Sequence, residues 1–433
     1  MSSRDAVCAQ SLGTEGEAPV RQPAPSKGKD LSQSPDLPGN EGAALTSDVS
    51  GKSEDGRSRL SKASETDQLV APFAEDGTPQ DFHWTTQPIP HSYRRRTILE
   101  KHPEVEELYG YDIREAVIGA LSVFLNLYIG YKVVQWQLGW PAVVLCTVVI
   151  SATINHSLFL VMHEASHMLL LPKRWMNELF AIFSNLPMGT PAGISFMRYH
   201  LDHHAYTGVD VVDADIPSEI EGRLFNSRLG KFIFVLLLPF TYSLRPMLRA
   251  PKKPTFMEAV NWVVIILWDI FVYKHLGGKG LFYFVGGSFL SMSIHPLNGH
   301  LISEHYQFPR GEKLQETYSA YGWENLLTYN CGYHLEHHDF PRIPGSRLPK
   351  LHSIAKEFYD LPHHTSWARV VWDFIMTKEV SPFSRVKRVA TRGGKIPFPH
   401  KQFLADEVNE LGPFWTGPKA ECQGTAPDTK KAQ

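Results

Sequence analysis

The sequence predicts an all-α integral membrane protein with four transmembrane helices, arranged as two hairpins and joined to a cytosolic helical cap. Three observations predict this fold class: long segments without a formal charge, an uneven distribution of lysine and arginine around them, and three clusters of histidine. The mean hydropathy of −0.21 conceals this pattern, because it averages apolar segments with polar ends.

Four apolar segments are candidates for membrane helices. The 31 residues 133–163 and the 24 residues 280–303 carry no formal charge, and a bilayer core requires about 20 apolar residues as helix. The 16 residues 116–131 are also uncharged, and 259–273 is interrupted only by Asp269. We therefore predict spans at about 115–132, 138–162, 258–274 and 280–303.

Two further apolar stretches do not have the pattern of a span. Residues 179–197 contain two prolines and two glycines that interrupt a helix, and 232–244 has only 13 residues and includes Pro239. Both stretches suit interfacial or re-entrant helices.

The basic residues orient the predicted spans. The segment 163–258 carries ten Lys and Arg, whereas the two hairpin turns carry only Lys132, Lys274 and Lys279. By the positive-inside rule, 163–258 and both termini face the cytosol.

Composition divides the rest of the chain. Residues 1–70 are rich in Ser, Gly, Pro, Glu and Lys, and we expect a disordered N-terminal extension. Residues 80–110 are a pre-membrane cytosolic segment, 111–390 the main domain and 391–433 a cytosolic tail. The net charge of −2 gives no reason to expect a nucleic-acid partner, and four widely separated cysteines indicate no disulfide framework.

The histidine clusters have helical spacing. Box one is HxxxH at 163–167, box two is HxxHH at 200–204 and box three is HxxHH at 334–338. On a helix, positions i, i+3 and i+4 share a face, so each box can direct two or three imidazoles to one point. HxxxH alone is weak evidence, but two copies of HxxHH indicate a metal site. The candidate ligands are His163, His167, His200, His203, His204, His334, His337 and His338.

The predicted topology places the boxes together. Boxes one and two precede the second hairpin and box three follows it, so all three return to the cytosolic face. The fourth span ends with two histidines five positions apart, which point about 140° apart on a helix. We prefer His305 as a ninth ligand, with His300 as the alternative.

Eight or nine imidazoles exceed the needs of one metal ion, so two ions are implied. Imidazole suits Zn, Cu, Fe and Ni alike, and the ligand set alone does not choose among them. Three acidic residues beside the ligands are either partners that orient the rings or exposed acids: Glu164, Asp202 and Glu336.

The other histidines fit no box. His156 and His295 lie inside predicted spans, and we expect them to be hydrogen-bonding residues of the bundle. Four further histidines are expected at the surface: His91, His102, His363 and His364.

Three boxes in this order, interleaved with two hydrophobic hairpins, resemble the membrane fatty-acyl desaturase and hydroxylase superfamily. The closer resemblance is to sphingolipid delta(4)-desaturases, also called dihydroceramide desaturases, over about residues 80–390. It rests on the segments NHS at 155–157, RYHLDHH at 198–204, DADIP at 213–217, GHLISEHY at 299–306 and GYHLEHHDFP at 332–341. The segment from FHW at 82–84 to YRRR at 93–96 also resembles that family's N-terminal region.

The resemblance implies a desaturase domain at 111–390 with a non-haem di-iron centre and molecular oxygen as oxidant. It implies trans-dehydrogenation between C4 and C5 of the sphinganine moiety of dihydroceramide, which gives ceramide, in the endoplasmic reticulum membrane. Electrons would come from cytochrome b5 and its NADH-dependent reductase. The chain has HLGG at 275–278 where a fused cytochrome b5 domain has HPGG, so the donor is expected to be a separate protein. Lys430 and Lys431 resemble a dilysine retrieval signal for that compartment.

Two alternatives remain open at this point. A sphingolipid C4-hydroxylase, or a bifunctional desaturase and hydroxylase, would use the same iron centre. A His-rich membrane metal transporter is a different class, but it should place ionisable groups along a path through the membrane. The predicted spans offer only a few such groups, namely Asp269, His156 and His295.

Overall fold

A computed structural model describes residues 73–388, apart from 75, 86 and 310–314. The predictions for 1–70 and 391–433, including the dilysine pair, lie outside the described residues. The described chain is mostly helical, as predicted. It differs from the all-α expectation by one two-stranded parallel sheet, in which β1 (His83–Thr85) pairs with β2 (Val386–Arg388). Strands of three residues are too short for an alternating pattern, and the pairing joins distant parts of the chain.

The helices follow the chain in this order: α1 (Pro90–Lys101), α2 (Ile113–Gln135), α3 (Trp140–Ser166), α4 (Arg174–Asn185), α5 (Gly193–Ala205), α6 (Glu219–Leu224), α7 (Arg228–Arg249), α8 (Phe256–Ser291), α9 (Gly299–Ser303), α10 (His334–Asp339), α11 (Leu348–Ile354), α12 (Lys356–Tyr359) and α13 (Trp367–Met376). Among the described residues, four are long and apolar enough to cross a membrane: α2, α3, α7 and α8.

The helix α8 contains a reversal of the chain. Gly277 has φ +65° and ψ −166°, outside the helical region. A Cβ on Gly189 would lie 3.0 Å from Asp269 Oδ1 and 2.5 Å from Val285 Cγ2. Sixteen residues of straight helix would separate Asp269 from Val285 by about 24 Å. The two parts of α8 on either side of Gly277 therefore lie side by side.

The segment 280–303 is not one helix. The second part of α8 ends at Ser291, and a 3₁₀ turn at Pro296–Asn298 separates it from α9. Proline lacks the N–H that would continue the helical hydrogen bonds, and His295 before it is extended.

The two stretches that we expected to be interfacial or re-entrant differ from each other. Residues 179–197 are interrupted as predicted, by a 3₁₀ turn at Leu186–Met188 and by Gly189 at φ +61°. Residues 232–244 belong to the longer α7, which contains Pro239 and Pro246 and has 22 residues. The sequence pattern underestimated this helix because Lys231 and Arg245 bound the uncharged stretch, whereas the helix continues through both and through Pro239.

Polar side chains link the apolar helices. The amide of Asn155 on α3 donates to Phe284 O at 3.0 Å and accepts from Asn126 of α2 at 2.8 Å. Ser151 donates to Tyr283 O at 2.7 Å. A Cβ on Gly287 would lie only 2.1 Å from Ser151 Oγ, so the absence of a side chain allows the close approach of α3 and α8. This network fixes the position of α3, which carries box one.

Two apolar clusters position the helices outside the candidate spans. One packs α1 and the 3₁₀ turn Pro103–Leu108 against α10 and α11, and it includes Ile98, Val105, Phe340 and Leu351. The other packs α13 against α7 and the segment that follows α9, through Phe234, Phe374 and Tyr306. Box three and His305 are thereby brought to the end of α3.

Candidate metal centre

The three boxes occupy the facing sides of three helices. His163 lies in the last turn of α3 with His167 directly after it, box two lies on α5 and box three begins α10. The ring centroids of His163 and His200 are 4.5 Å apart, and those of His204 and His337 are 4.8 Å apart. The structure thus brings together boxes that are up to 175 positions apart in the sequence.

The nine predicted ligands form two adjoining groups. The first histidine group has its ligand atoms within 4.8 Å of one another and consists of His163, His167, His200, His204 and His337. The second histidine group contains His203, His305 and His338 on the same criterion, and His334 joins it because its Nε2 is 3.0 Å from Nε2 of His305. The rings of His204 and His338 stack at 4.1 Å where the groups meet.

The nitrogen positions fit metal coordination. The Nε2 atoms of His167 and His200 are 2.9 Å apart, and those of His203 and His305 are 3.0 Å apart. Two nitrogens that bind one ion at about 2.1 Å and at right angles are about 3.0 Å apart. Four further Nε2 atoms are buried without a hydrogen-bond partner among the described residues, those of His163, His204, His337 and His338. Buried polar atoms normally have a partner, so the donor set suits a pair of metal ions.

Burial also favours the ligand form of the rings. It lowers the pKa of His200, His204 and His338 well below the ordinary value, which keeps these imidazoles neutral. Neutral imidazole is the form that binds metal ions. Burial likewise lowers the pKa of His203, but the adjacent Asp213 outweighs this effect and raises the pKa overall.

The structure places His300 and His305 in different environments. His300 Nδ1 is 2.9 Å from Nε2 of His156, whose Nδ1 is 3.1 Å from Ser291 O. His300 therefore belongs to a hydrogen-bonded pair beside the two groups, and His156 is hydrogen-bonded as predicted. Of the two alternatives, His305 is the one whose Nε2 lies in the second histidine group.

Comparisons with known proteins agree with this arrangement. A family model described as fatty acid desaturase matches residues 138–369, and one described as sphingolipid Delta4-desaturase matches residues 78–114. Sphingolipid delta(4)-desaturase DES1 of Drosophila melanogaster is 45% identical over 311 residues, which cover 71% of this chain and 95% of the relative. The proteins of the same name from Homo sapiens and Gallus gallus are each 45% identical over 312 residues, with the same coverage.

The chain belongs to the sphingolipid delta(4)-desaturase family. The family predicted from the histidine boxes is thereby confirmed. Membership makes the chain an oxidoreductase of a family that is typically metal-dependent, and the four apolar helices agree with a membrane protein. It also removes the reason to consider a metal transporter.

The carboxylates that contact the histidines of the desaturase are mostly not those expected. Glu164 Oε1 is 3.3 Å from Nδ1 of His163, in line with the prediction. Asp202 pairs instead with Lys252. Glu336 accepts from Ser319 and Tyr321 and contacts His352. Side chains next to a ligand on a helix point to another face, so proximity in sequence was a poor guide.

Two other carboxylates take that position in the desaturase. Asp213 Oδ1 is 3.0 Å from Nδ1 of His203, and Glu304 Oε1 is 3.2 Å from Nδ1 of His334. The reasoning on box spacing missed both, because Asp213 lies in a loop after α5 and Glu304 contacts a ring 30 positions away. Both lie within the segments that carry the family resemblance, DADIP and GHLISEHY, which was the available signal.

Two histidines expected at the surface are buried. His91 lies between Asp339, at 2.8 Å, and Thr317, at 3.1 Å, and its ring centroid is 4.9 Å from that of His338. His364 has no exposed surface and packs against aromatic rings. Both predictions were wrong because contacts with distant segments bury these rings, and spacing within the sequence does not reveal such contacts. His363 is exposed, and His102 is half-buried.

An apolar cavity of about 440 Å³ reaches the histidine groups of the desaturase. Its walls come from α3, α5, α7 and α8, with Phe159, Phe240, Trp262 and Phe289 among the lining side chains. At one end it meets His200 and His203, and a smaller cavity of about 20 Å³ continues from there between the two groups. The site can therefore receive an alkyl chain and bring part of it next to the histidines.

Proposed function

We propose that the chain is a sphingolipid delta(4)-desaturase that introduces a trans double bond between C4 and C5 of the sphinganine moiety of dihydroceramide, giving ceramide, with O₂ as oxidant. The observation that carries the proposal is the meeting of an apolar cavity with nine histidines in a chain that covers 95% of relatives bearing this activity in their names.

The histidine groups would hold two iron ions. His163, His167, His200, His204 and His337 would bind one ion, and His203, His305, His334 and His338 the other. Bound iron supplies, with O₂, the oxidising power that removal of hydrogen from an unactivated alkyl chain requires, and zinc lacks this redox chemistry.

The protein's own part is to position the alkyl chain and to exclude bulk water. The aromatic and aliphatic walls of the cavity would hold the alkyl chain in one register, so that one carbon pair lies next to the histidines. The same walls would keep bulk water from the reacting carbons. Asp213 and Glu304 would orient the rings of His203 and His334 through their outer nitrogens.

The remaining parts of the proposal concern location and electron supply. The chain would lie in the endoplasmic reticulum membrane with the histidine groups, the helical cap and both termini on the cytosolic side. The reversal at Gly277 supports the second of the two predicted hairpins. Electrons would come from cytochrome b5, a separate protein, and its NADH-dependent reductase.

Long-chain base analysis tests the proposal. The chain is expressed in cells that lack ceramide delta(4) unsaturation but contain active cytochrome b5, and the long-chain bases are measured by mass spectrometry. We expect trans-4 unsaturated bases to rise. A product that is 4-hydroxysphinganine would instead support the hydroxylase, and both products together the bifunctional enzyme. No change in either base would contradict the proposal.

A further inference from the structure

The large cavity and the small one share a boundary of six residues. It consists of Phe159, Phe196, His200, His203, Asp215 and Tyr242. Two of these are proposed metal ligands and two are phenylalanines. Asp215 and Tyr242 are therefore the polar side chains at this boundary that are left for contact with a substrate.

The carboxylate of Asp215 is fixed in place but not enclosed. One oxygen accepts from the guanidinium of Arg385 at 2.6 Å, and the backbone N–H of Asp215 donates to Asp213 at 3.0 Å. The side chain of Asp215 is nevertheless 15% exposed, whereas that of Arg385 is 4% exposed. The open side of the carboxylate lies at the cavity.

Tyr242 reaches the same point from another element. It lies on α7, and its hydroxyl faces the carboxylate of Asp215. A donor and an acceptor thus face each other across the end of an otherwise apolar cavity.

A substrate that offered only an alkyl chain would not explain a carboxylate and a hydroxyl at this position. Covering a carboxylate and a hydroxyl with hydrocarbon removes water without replacing its hydrogen bonds, which is unfavourable. A substrate that carries a hydroxyl near its reacting carbons would satisfy both groups. In dihydroceramide the reacting carbon C4 is bonded directly to C3, which bears a hydroxyl, so this hydroxyl must enter the site together with the reacting bond.

We propose that Asp215 and Tyr242 recognise the C3 hydroxyl of the sphingoid base, with the carboxylate accepting its proton in a hydrogen bond and the tyrosine donating to its oxygen. The inference rests on the proposed function, because it takes C4 and C5 as the reacting pair. It makes the two residues determinants of both substrate class and the position of the double bond.

The test compares two lipids on the full-length protein in membranes with cytochrome b5 and its reductase. One lipid is dihydroceramide, and the other is the same molecule without the C3 hydroxyl. The second lipid is measured both as a substrate and as a competitive inhibitor, so that it reports affinity even if it is not converted. The ratio of kcat/KM for dihydroceramide to kcat/KM for the deoxy lipid is taken on one preparation, which cancels differences in the amount of folded enzyme.

Tyr242→Phe should lower kcat/KM for dihydroceramide by about 10- to 100-fold, as expected for loss of a hydrogen bond in a charged network. The inhibition constant of the deoxy lipid should stay within about threefold of the wild-type value, because that lipid makes no use of the hydroxyl. Asp215→Asn should likewise lower the ratio of kcat/KM for dihydroceramide to kcat/KM for the deoxy lipid. Tyr199→Phe is the matched control, since Tyr199 lines the same cavity but its hydroxyl donates to Ala250 O at 3.0 Å. Its ratio should equal that of the wild type.

The outcomes separate the two proposals. A wild-type enzyme that does not desaturate dihydroceramide overturns the proposed function. An active wild type that does not distinguish the two lipids overturns the inference alone. The inference also fails if Tyr242→Phe weakens both lipids equally, or if Tyr199→Phe changes the ratio as much as Tyr242→Phe.

Discussion

The two histidine groups are held in different ways. The first is built from the ends and faces of α3, α5 and α10, and in it Nδ1 of His163 contacts Glu164, its neighbour in the sequence. In the second, two outer ring nitrogens contact acceptors from other parts of the chain, Asp213 for His203 and the backbone oxygen of Glu316 for His305, and Nδ1 of His334 lies 3.2 Å from Glu304. Helical periodicity therefore directs the rings of each box to one face, while the second group also depends on ring partners from distant segments.

Removal of one ligand from each group should have the largest effect. His337→Ala in the first group and His203→Ala in the second should each reduce desaturation by far more than the ~100-fold loss that follows removal of an orienting partner. Iron analysis of each purified variant should show the loss of about one ion per chain. A variant that inserts into membranes and keeps wild-type activity would remove that residue from the site.

The comparison of His305 with His300 tests the composition of the second group. His305→Ala should abolish activity and lower the iron content, because its Nε2 faces those of His203 and His334. His300→Ala should retain the iron, since the ring pairs with His156. The reverse result would show that His300, and not His305, is the ninth ligand.

The orienting carboxylates should have an intermediate effect. Asp213→Asn removes the charge that contacts His203 and should lower activity or iron affinity by about 10- to 100-fold. Glu336→Gln is the control, because Glu336 is buried and adjacent to a ligand but contacts Ser319 and Tyr321. Equal losses of iron in both variants would contradict the distinct role given to Asp213.

The smallest effect on the metal centre is expected from the helix contact that positions box one. Gly287→Ala places a methyl group against Ser151 and should lower the free energy of unfolding by about 1–3 kcal/mol, with little change in iron content of the folded enzyme. Gly278→Ala is the matched control, since no atom lies within 4 Å of the added Cβ. Thermal denaturation in detergent measures both, and equal midpoints would contradict the close contact.

The sequence was a good guide to what depends on local periodicity. The helical placement of the box histidines, the apolar helices α2 and α3 and the interruption at 186–192 all follow from spacing, charge or helix-breaking residues. The partners of Asp202 and Glu336, and the burial of His91 and His364, could not be predicted in this way. Each depends on which residues of distant segments pack together. The helix α7 was underestimated because neither its charged residues Lys231 and Arg245 nor Pro239 ends it.

Iron analysis of the purified wild-type chain, kept in a lipid environment and never exposed to chelators, tests the central claim most directly. The account predicts about two iron ions per chain, bound in proportion to desaturase activity. One zinc ion per chain with no iron, in a preparation that actively desaturates dihydroceramide, would contradict it.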